Sequence, residues 1–290
     1  MARMETKAWA KLNLTLDVLG KRADGYHALR MVMQTVDLCD HITVETGTGA
    51  PLRVSTDLGF LPTGEKNLAA AAALRLCGAV GADCGGLALD LRKHIPVCAG
   101  MAGGSADAAA VLRALNELLG LDLPPARLAE IGAEVGSDVP YCVLGGTALA
   151  EGRGERLTPL PPLPACRVVL CKPGWSVSTP ELFAAIDAVR LRRRPDTAGM
   201  IAALEAGDLA GAARRVYNVF EDALPRRRAG EIAAIKNTLI QHGALGASMS
   251  GTGPTVFGLF DDMAGARGAW EELRESYRDA FLTGVRGAEF

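Results

Sequence analysis

Apolar and polar residues exchange places along this chain in two rhythms, one of two residues and one near three and a half. In the first, Leu12, Leu14, Leu16 and Val18 alternate with Lys11, Asn13, Thr15 and Asp17. That period predicts a strand with one buried face and sets Lys11 and Asn13 on the same polar side. Strand-like runs follow at 31–38, 41–45, 52–55 and 86–91, and again at 147–150, 167–171 and 255–260. The helical rhythm covers 67–76, 127–135, 180–189, 231–242 and 263–277, with further helices between 196 and 220. Its clearest instance lies behind Ser105, a predicted N-cap, where Val111, Leu112, Leu115, Leu118 and Leu119 recur on one face. Strands and helices mix without a regular βαβ alternation, so the pattern predicts an α+β chain. Prolines gather between Gly152 and Pro164, and a boundary there divides an expected domain of residues 1–158 from one of 159–290.

A chain of 290 residues suits two domains, and 49% hydrophobic with 22% charged residues is a globular composition. The net charge of −2 provides no overall field for nucleic acid or an anionic membrane. The arginines at Arg190, Arg192, Arg193, Arg194 and Arg226, Arg227, Arg228 form short runs beside helices and read as solvated faces. Seven cysteines, an odd number without a C-x-x-C spacing, argue against a disulfide framework or a zinc site and for buried thiols in the cytoplasm. No apolar stretch reaches the length of a membrane span.

Candidate chemistry begins with Pro96, Val97, Cys98, Ala99, Gly100, Met101, Ala102, Gly103, Gly104, Ser105 and Ala106. Glycines feeding a helix start suit an anion, because nothing blocks close approach and the first N–H groups point outward. The run matches neither G-x-x-x-x-G-K-[ST] nor G-x-G-x-x-G, which disfavours a Walker loop and a dinucleotide fold. On residues alone it is either a phosphate cradle or a structural turn. The same two readings stand for Gly251, Thr252 and Gly253, a cradle or an ordinary hairpin turn. Asp138, in Gly136-Ser137-Asp138-Val139-Pro140, either serves its own turn or faces a cleft, and Lys11 alone reads as a surface lysine.

Three stretches together shift these odds. Ala10-Lys11-Leu12-Asn13-Leu14, the loop from Pro96 to Ala109, and Ser250-Gly251-Thr252-Gly253-Pro254 resemble, in order and spacing, those of the GHMP kinases. Ala106 departs from the pattern, standing where many members carry a second serine. Gly20-Lys21-Arg22-Ala23-Asp24-Gly25-Tyr26-His27 is similar to the branch acting on diphosphocytidyl methylerythritol, as are Met33–Leu38, Lys172-Pro173-Gly174 and Thr179-Pro180 with Phe183.

The resemblance implies a two-domain α+β fold, the first domain like domain 2 of ribosomal protein S5 and the second ferredoxin-like, with phosphates between them. It implies ATP and Mg²⁺ as cofactors, a small-molecule alcohol as acceptor, and neither nucleic acid nor membrane as partner. A cytoplasmic monomer or weak homodimer is expected. Asp138 falls at the position of the catalytic base and Lys11 at that of its lysine partner. Asn13 and Thr179 would meet the acceptor, Tyr26 and Phe183 would stack on its cytosine, and His27 would read the base edge. ATP would lie along residues 96–106, with Ser105 holding a phosphate oxygen or Mg²⁺, while Gly251, Thr252 and Gly253 close on the phosphates. Another GHMP kinase of mevalonate or homoserine type and a non-catalytic nucleotide sensor are the rival expectations.

Overall fold

The computed structural model describes residues 2–49, 51–81, 86–191 and 193–288. The chain gathers into two compact units, each assembled from three segments. One comprises Met1–Ala10, Leu38–Val97 and Ala102–Gly145; the other comprises Lys11–Asp37, Cys98–Met101 and Gly146–Phe290. Two long strands, β1 (Ala2–Lys21) and β2 (His27–Thr46), contribute residues to both. The two runs expected at 31–38 and 41–45 are thus one continuous strand.

In the first unit β3 (Arg53–Thr56) runs parallel to β4 (Ala88–Arg92), which pairs antiparallel with His41–Glu45 of β2. Four helices accompany them: α1 (Leu68–Val80), α2 (Gly103–Leu118), α3 (Pro125–Ala133) and α4 (Val139–Leu144). Asn67 caps α1 by accepting the Ala69 N–H at 3.0 Å, and Gly81 ends it in the left-handed region. Helices α1 and α2 pack against each other, and both carry buried alanines, Ala69, Ala70 and Ala73 on one, Ala106, Ala109 and Ala110 on the other. Small side chains let the helix axes approach closely. Gly132 serves the same end on α3, since a Cβ there would lie 2.6 Å from Val139 Cγ1.

In the second unit Leu29–Gln34 of β2 pairs antiparallel with β5 (Thr147–Gly152), and β5 pairs with β6 (Arg156–Pro159). A separate antiparallel sheet has the order β11-β7-β10-β9, from β7 (Arg167–Lys172), β9 (Gly246–Met249), β10 (Val256–Phe260) and β11 (Asp279–Gly284). With α8 (Arg226–Gln241) before β9 and α9 (Met263–Ser276) before β11, this is the β-α-β-β-α-β, ferredoxin-like arrangement. Between β7 and α8 lie α5 (Thr179–Asp187), α6 (Thr197–Glu205), α7 (Leu209–Ala213) and β8 (Tyr217–Asn218), which runs parallel to β1. A 3₁₀ turn, Val219–Ala223, follows β8.

Several expectations need correction. The polar side of β1 is not solvent-facing: Lys11, Asn13, Thr15 and Asp17 are all buried, as are the leucines opposite. Period two predicts alternation and cannot tell a solvated polar face from a buried, hydrogen-bonded one. Strands β6, β9 and β11 were not expected, being short and poor in alternation. Cys98, Cys166 and Cys171 are free, with Cys98 exposed, and Cys77 is disulfide-bonded against the expectation of thiols only. A cysteine's pairing depends on what the fold brings beside it, which spacing along the chain does not record. Cys84 and Arg192 lie outside the described residues. Among the described residues no helix is long and apolar enough to cross a membrane.

Candidate active site

In the first unit the functional candidates converge on the start of α2. The helix begins at Gly103, two residues ahead of the expected cap, and its N-cap is Ala102 at φ 57°, with no side chain capping it. Ser105 is therefore the third helical residue, and its hydroxyl is not spent on the helix end. An uncapped first turn presents N–H groups and the positive end of the dipole together. Gly103 and Gly104 are held close from behind: a Cβ would stand 3.1 Å from Ile95 Cγ2 and 3.2 Å from Leu68 Cδ1, respectively. The Gly136–Asp138 turn lies alongside, with Ser105 Oγ 3.9 Å from the Cβ position of Gly136. Asp138 occupies the N-cap position of α4 without its side chain capping that helix.

Behind this turn sits a charged cluster that pattern reading missed. Lys93 donates to both Asp40 and Asp107, and all three side chains are nearly inaccessible. Asp40 also accepts the N–H groups of His94 and Ile95 at 2.6 and 2.8 Å, which fixes the chain just ahead of Pro96. Burial, opposed by Lys93 and reinforced by Asp40, pushes the Asp107 carboxyl up to about 8. Burial works against the Lys93 charge, yet Asp107 and Asp40 outweigh it and raise its affinity for the proton. The missed signal was a charge inside an alanine run, Asp107 between Ala106 and Ala108.

In the second unit β1 supplies Lys11 and Asn13. Lys11 Nζ donates to Asn13 Oδ1 at 2.6 Å, and Asn13 Nδ2 turns toward Met31 Sδ at 3.3 Å. The amide of Asn13 thus orients the ammonium, a use that strand periodicity alone did not disclose. Residues 98–101 and 250–253 pack backbone to backbone in the same unit. Ser250 Oγ donates to Gly100 O at 2.9 Å and accepts the Asn13 N–H at 3.2 Å, and the Thr255 N–H reaches Ala99 O at 3.3 Å. A Cβ on Gly100 would fall 2.1 Å from Ser250 O, and one on Gly251 would fall 2.8 Å from Gly100 O. What these two glycines admit is each other. Asn218, also missed, donates to Met249 O at 2.8 Å and Gly251 O at 2.7 Å, and accepts the Phe220 N–H. Thr179 and Thr252 come together through their hydroxyls at 3.2 Å.

The aromatic candidates Tyr26, His27 and Phe183 all belong to the second unit. Phe183 stacks on His27, with ring centroids 4.7 Å apart and planes 26° from parallel, and it also meets Phe220 edge-on. His27 Nε2 lies 2.7 Å from Asp187 Oδ1. Tyr26 is exposed and carries the Arg153 guanidinium over its ring at 4.9 Å. Tyr26 closes the turn that begins at Arg22, whose N–H reaches Tyr26 O at 2.7 Å, while His27 is the first residue of β2.

Comparison with known proteins adds a second kind of finding. Residues 67–146 match the family model of the GHMP kinases N terminal domain, and residues 200–279 match that of the GHMP kinases C terminal. A 4-diphosphocytidyl-2-C-methyl-D-erythritol kinase from Lachnospira eligens is 46% identical over 90% of this chain and 90% of its own. One from Alkaliphilus metalliredigens is 43% identical over 97% of this chain and 96% of its own. A crystal structure of 4-(cytidine 5'-diphospho)-2C-methyl-D-erythritol kinase superposes with a TM-score of 0.81 at 34% identity, covering 98% of this chain and all, 100%, of that one. Homoserine kinase from Cytophaga hutchinsonii, at 21% identity and a TM-score of 0.77 over 99% of this chain and 95% of its own, shares the fold.

Proposed function

Since the chain belongs to the GHMP kinases and is a small-molecule kinase, we propose that it phosphorylates the 2-hydroxyl of 4-diphosphocytidyl-2-C-methyl-D-erythritol with ATP and Mg²⁺. The observation that carries this is that relatives spanning nearly the whole chain at more than 40% identity are named 4-diphosphocytidyl-2-C-methyl-D-erythritol kinase. The reaction is assigned to the cytoplasm and to residues of both expected domains, 1–158 and 159–290.

The start of α2 suits a phosphate. Its first turn lacks a side-chain cap, and Ile95 and Leu68 fill the space behind Gly103 and Gly104, leaving the backbone as the ligand-facing surface. Ser105, with its hydroxyl free of capping duty, is assigned to a phosphate oxygen or to Mg²⁺, an ion that keeps most of its own water. ATP supplies an electrophilic γ-phosphoryl group whose charge Mg²⁺ helps to disperse. Asp138 takes the proton that the acceptor hydroxyl must lose. Lys11 stabilises negative charge as it develops on the transferred group, and Asn13 aims its ammonium by accepting one of its hydrogens. Thr179 and Thr252 meet the acceptor and its phosphates, and Tyr26, His27 and Phe183 take the cytosine.

The test is ATP consumption with a panel of alcohols, with and without the diphosphocytidyl group. Turnover should require that group, and Asp138→Asn should lower kcat by roughly 10²–10⁴ while ATP still binds. Turnover of mevalonate or homoserine without competition from cytidine phosphates would sink the proposal, and an Asp138→Asn variant with undiminished function would point instead to a sensor.

A further inference from the structure

We propose that Asp187 is a positioning residue that holds His27 in the tautomer able to read cytosine, and thereby sets the choice of cytidine over uridine. This rests on the acceptor proposed above. The geometry is local to the second unit. His27 is pinned in its plane by the stack on Phe183, itself braced by the edge of Phe220. Its rotation within that plane is set by the 2.7 Å contact from Nε2 to Asp187 Oδ1. The ring is only 9% exposed, whereas Asp187 keeps access to water.

An ionised carboxylate accepts hydrogen bonds and cannot donate them, so Nε2 carries the hydrogen. In a neutral imidazole the other nitrogen is then an acceptor. Among the described residues no hydrogen bond engages Nδ1, and it is not one of the sealed polar atoms without a partner. It is available to a ligand as a lone pair. Cytosine presents an amino donor at the position where uracil presents a carbonyl acceptor. A lone pair at Nδ1 matches the first and repels the second. The alternative tautomer, with the hydrogen on Nδ1, would invert that preference.

The placement of Asp187 supports a role beyond structure. It is the last residue of α5, at the end where the helix dipole is negative and a carboxylate is disfavoured. Helix formation gives no reason for an acid there; the N–H of His27 does.

Two measurements test the idea. Nitrogen-15 shifts of the His27 imidazole in the unaltered enzyme report which nitrogen bears the hydrogen. Values of kcat/KM for diphosphocytidyl and diphosphouridyl methylerythritol are then compared in the wild type, Asp187→Ala and Asp187→Glu. The expected results are hydrogen on Nε2, a cytidine-to-uridine ratio that falls about tenfold or more in Asp187→Ala, the size of one misdirected hydrogen bond, and recovery in Asp187→Glu. Hydrogen on Nδ1 in the wild type overturns the proposal, and that measurement needs no variant to fold. So does an unmoved ratio in Asp187→Ala. If the wild type phosphorylates neither acceptor, the proposed function fails and this role with it, an outcome distinct from an active enzyme whose ratio is unmoved.

Discussion

Asp107 sits on the inward face of α2 among Ala106, Ala108, Ala109 and Ala110, which offer it neither water nor a donor. Its carboxyl is raised from 3.8 to about 8, first by burial and then by Asp40, against the pull of Lys93. Between those values the folded chain holds a proton that the unfolded chain has released, so the stability linked to this group is full at acid pH and lost as pH rises toward about 8. Asn at this position cannot ionise. Thermal melts across a pH series should show the wild type losing stability relative to Asp107→Asn as pH climbs through that window, and parallel curves would contradict the assignment. The identity of the charge was plain in the sequence; its burial was not. A lone acid in an alanine run reads equally as solvent-facing until the partners, Lys93 and Asp40, are brought in from other elements. The burial of Lys11 was hidden for the same reason, since only the fold shows what stands opposite the polar side of β1.

Among elements, the second glycine turn illustrates how little of its support is local. Residues 250–253 are held by Asn218, whose amide satisfies the carbonyls of Met249 and Gly251 and the N–H of Phe220. Asn218→Ala should therefore leave buried backbone groups unpaired and destabilise the protein by roughly 3 kcal/mol, read from urea unfolding. KM for ATP should rise in the folded variant, because Ser250 couples this turn to Gly100. A loss below about 0.5 kcal/mol would show that the amide is not the support it is taken to be. The turn itself was legible, since Ser-Gly-Thr-Gly-Pro can hardly be anything else. Its anchor was not, because an asparagine 31 residues upstream of Met249 carries no mark of what it bonds. The cap of α2 lies three residues ahead of Ser105, which is a good cap on paper, because the left-handed Ala102 is a conformation that no residue preference announces.

At the scale of the whole chain, neither compact unit is a continuous stretch. A fragment of residues 159–290 would retain β7, β9, β10 and β11 but lose Ala99, which accepts the Thr255 N–H, and Thr35, which accepts the Arg286 N–H. Both amides should exchange with solvent far faster in that fragment than in the full chain, by hydrogen exchange at each site; equal protection would mean that the segments 11–37 and 98–101 are dispensable to the second unit. By itself the sequence determined most of the longer helices and strands, the α+β class and the family, because periodicity, glycine punctuation and motif strings are properties of neighbouring residues. Only the tertiary structure decided that the polar side of β1 is buried, that Lys93 lies between two acids, that Gly100 and Gly251 make room for each other, and that His27 rests on Phe183 within reach of Asp187. Each of these is a contact between residues remote in the chain, and the energy of such a contact depends on distance and surroundings that local pattern does not encode.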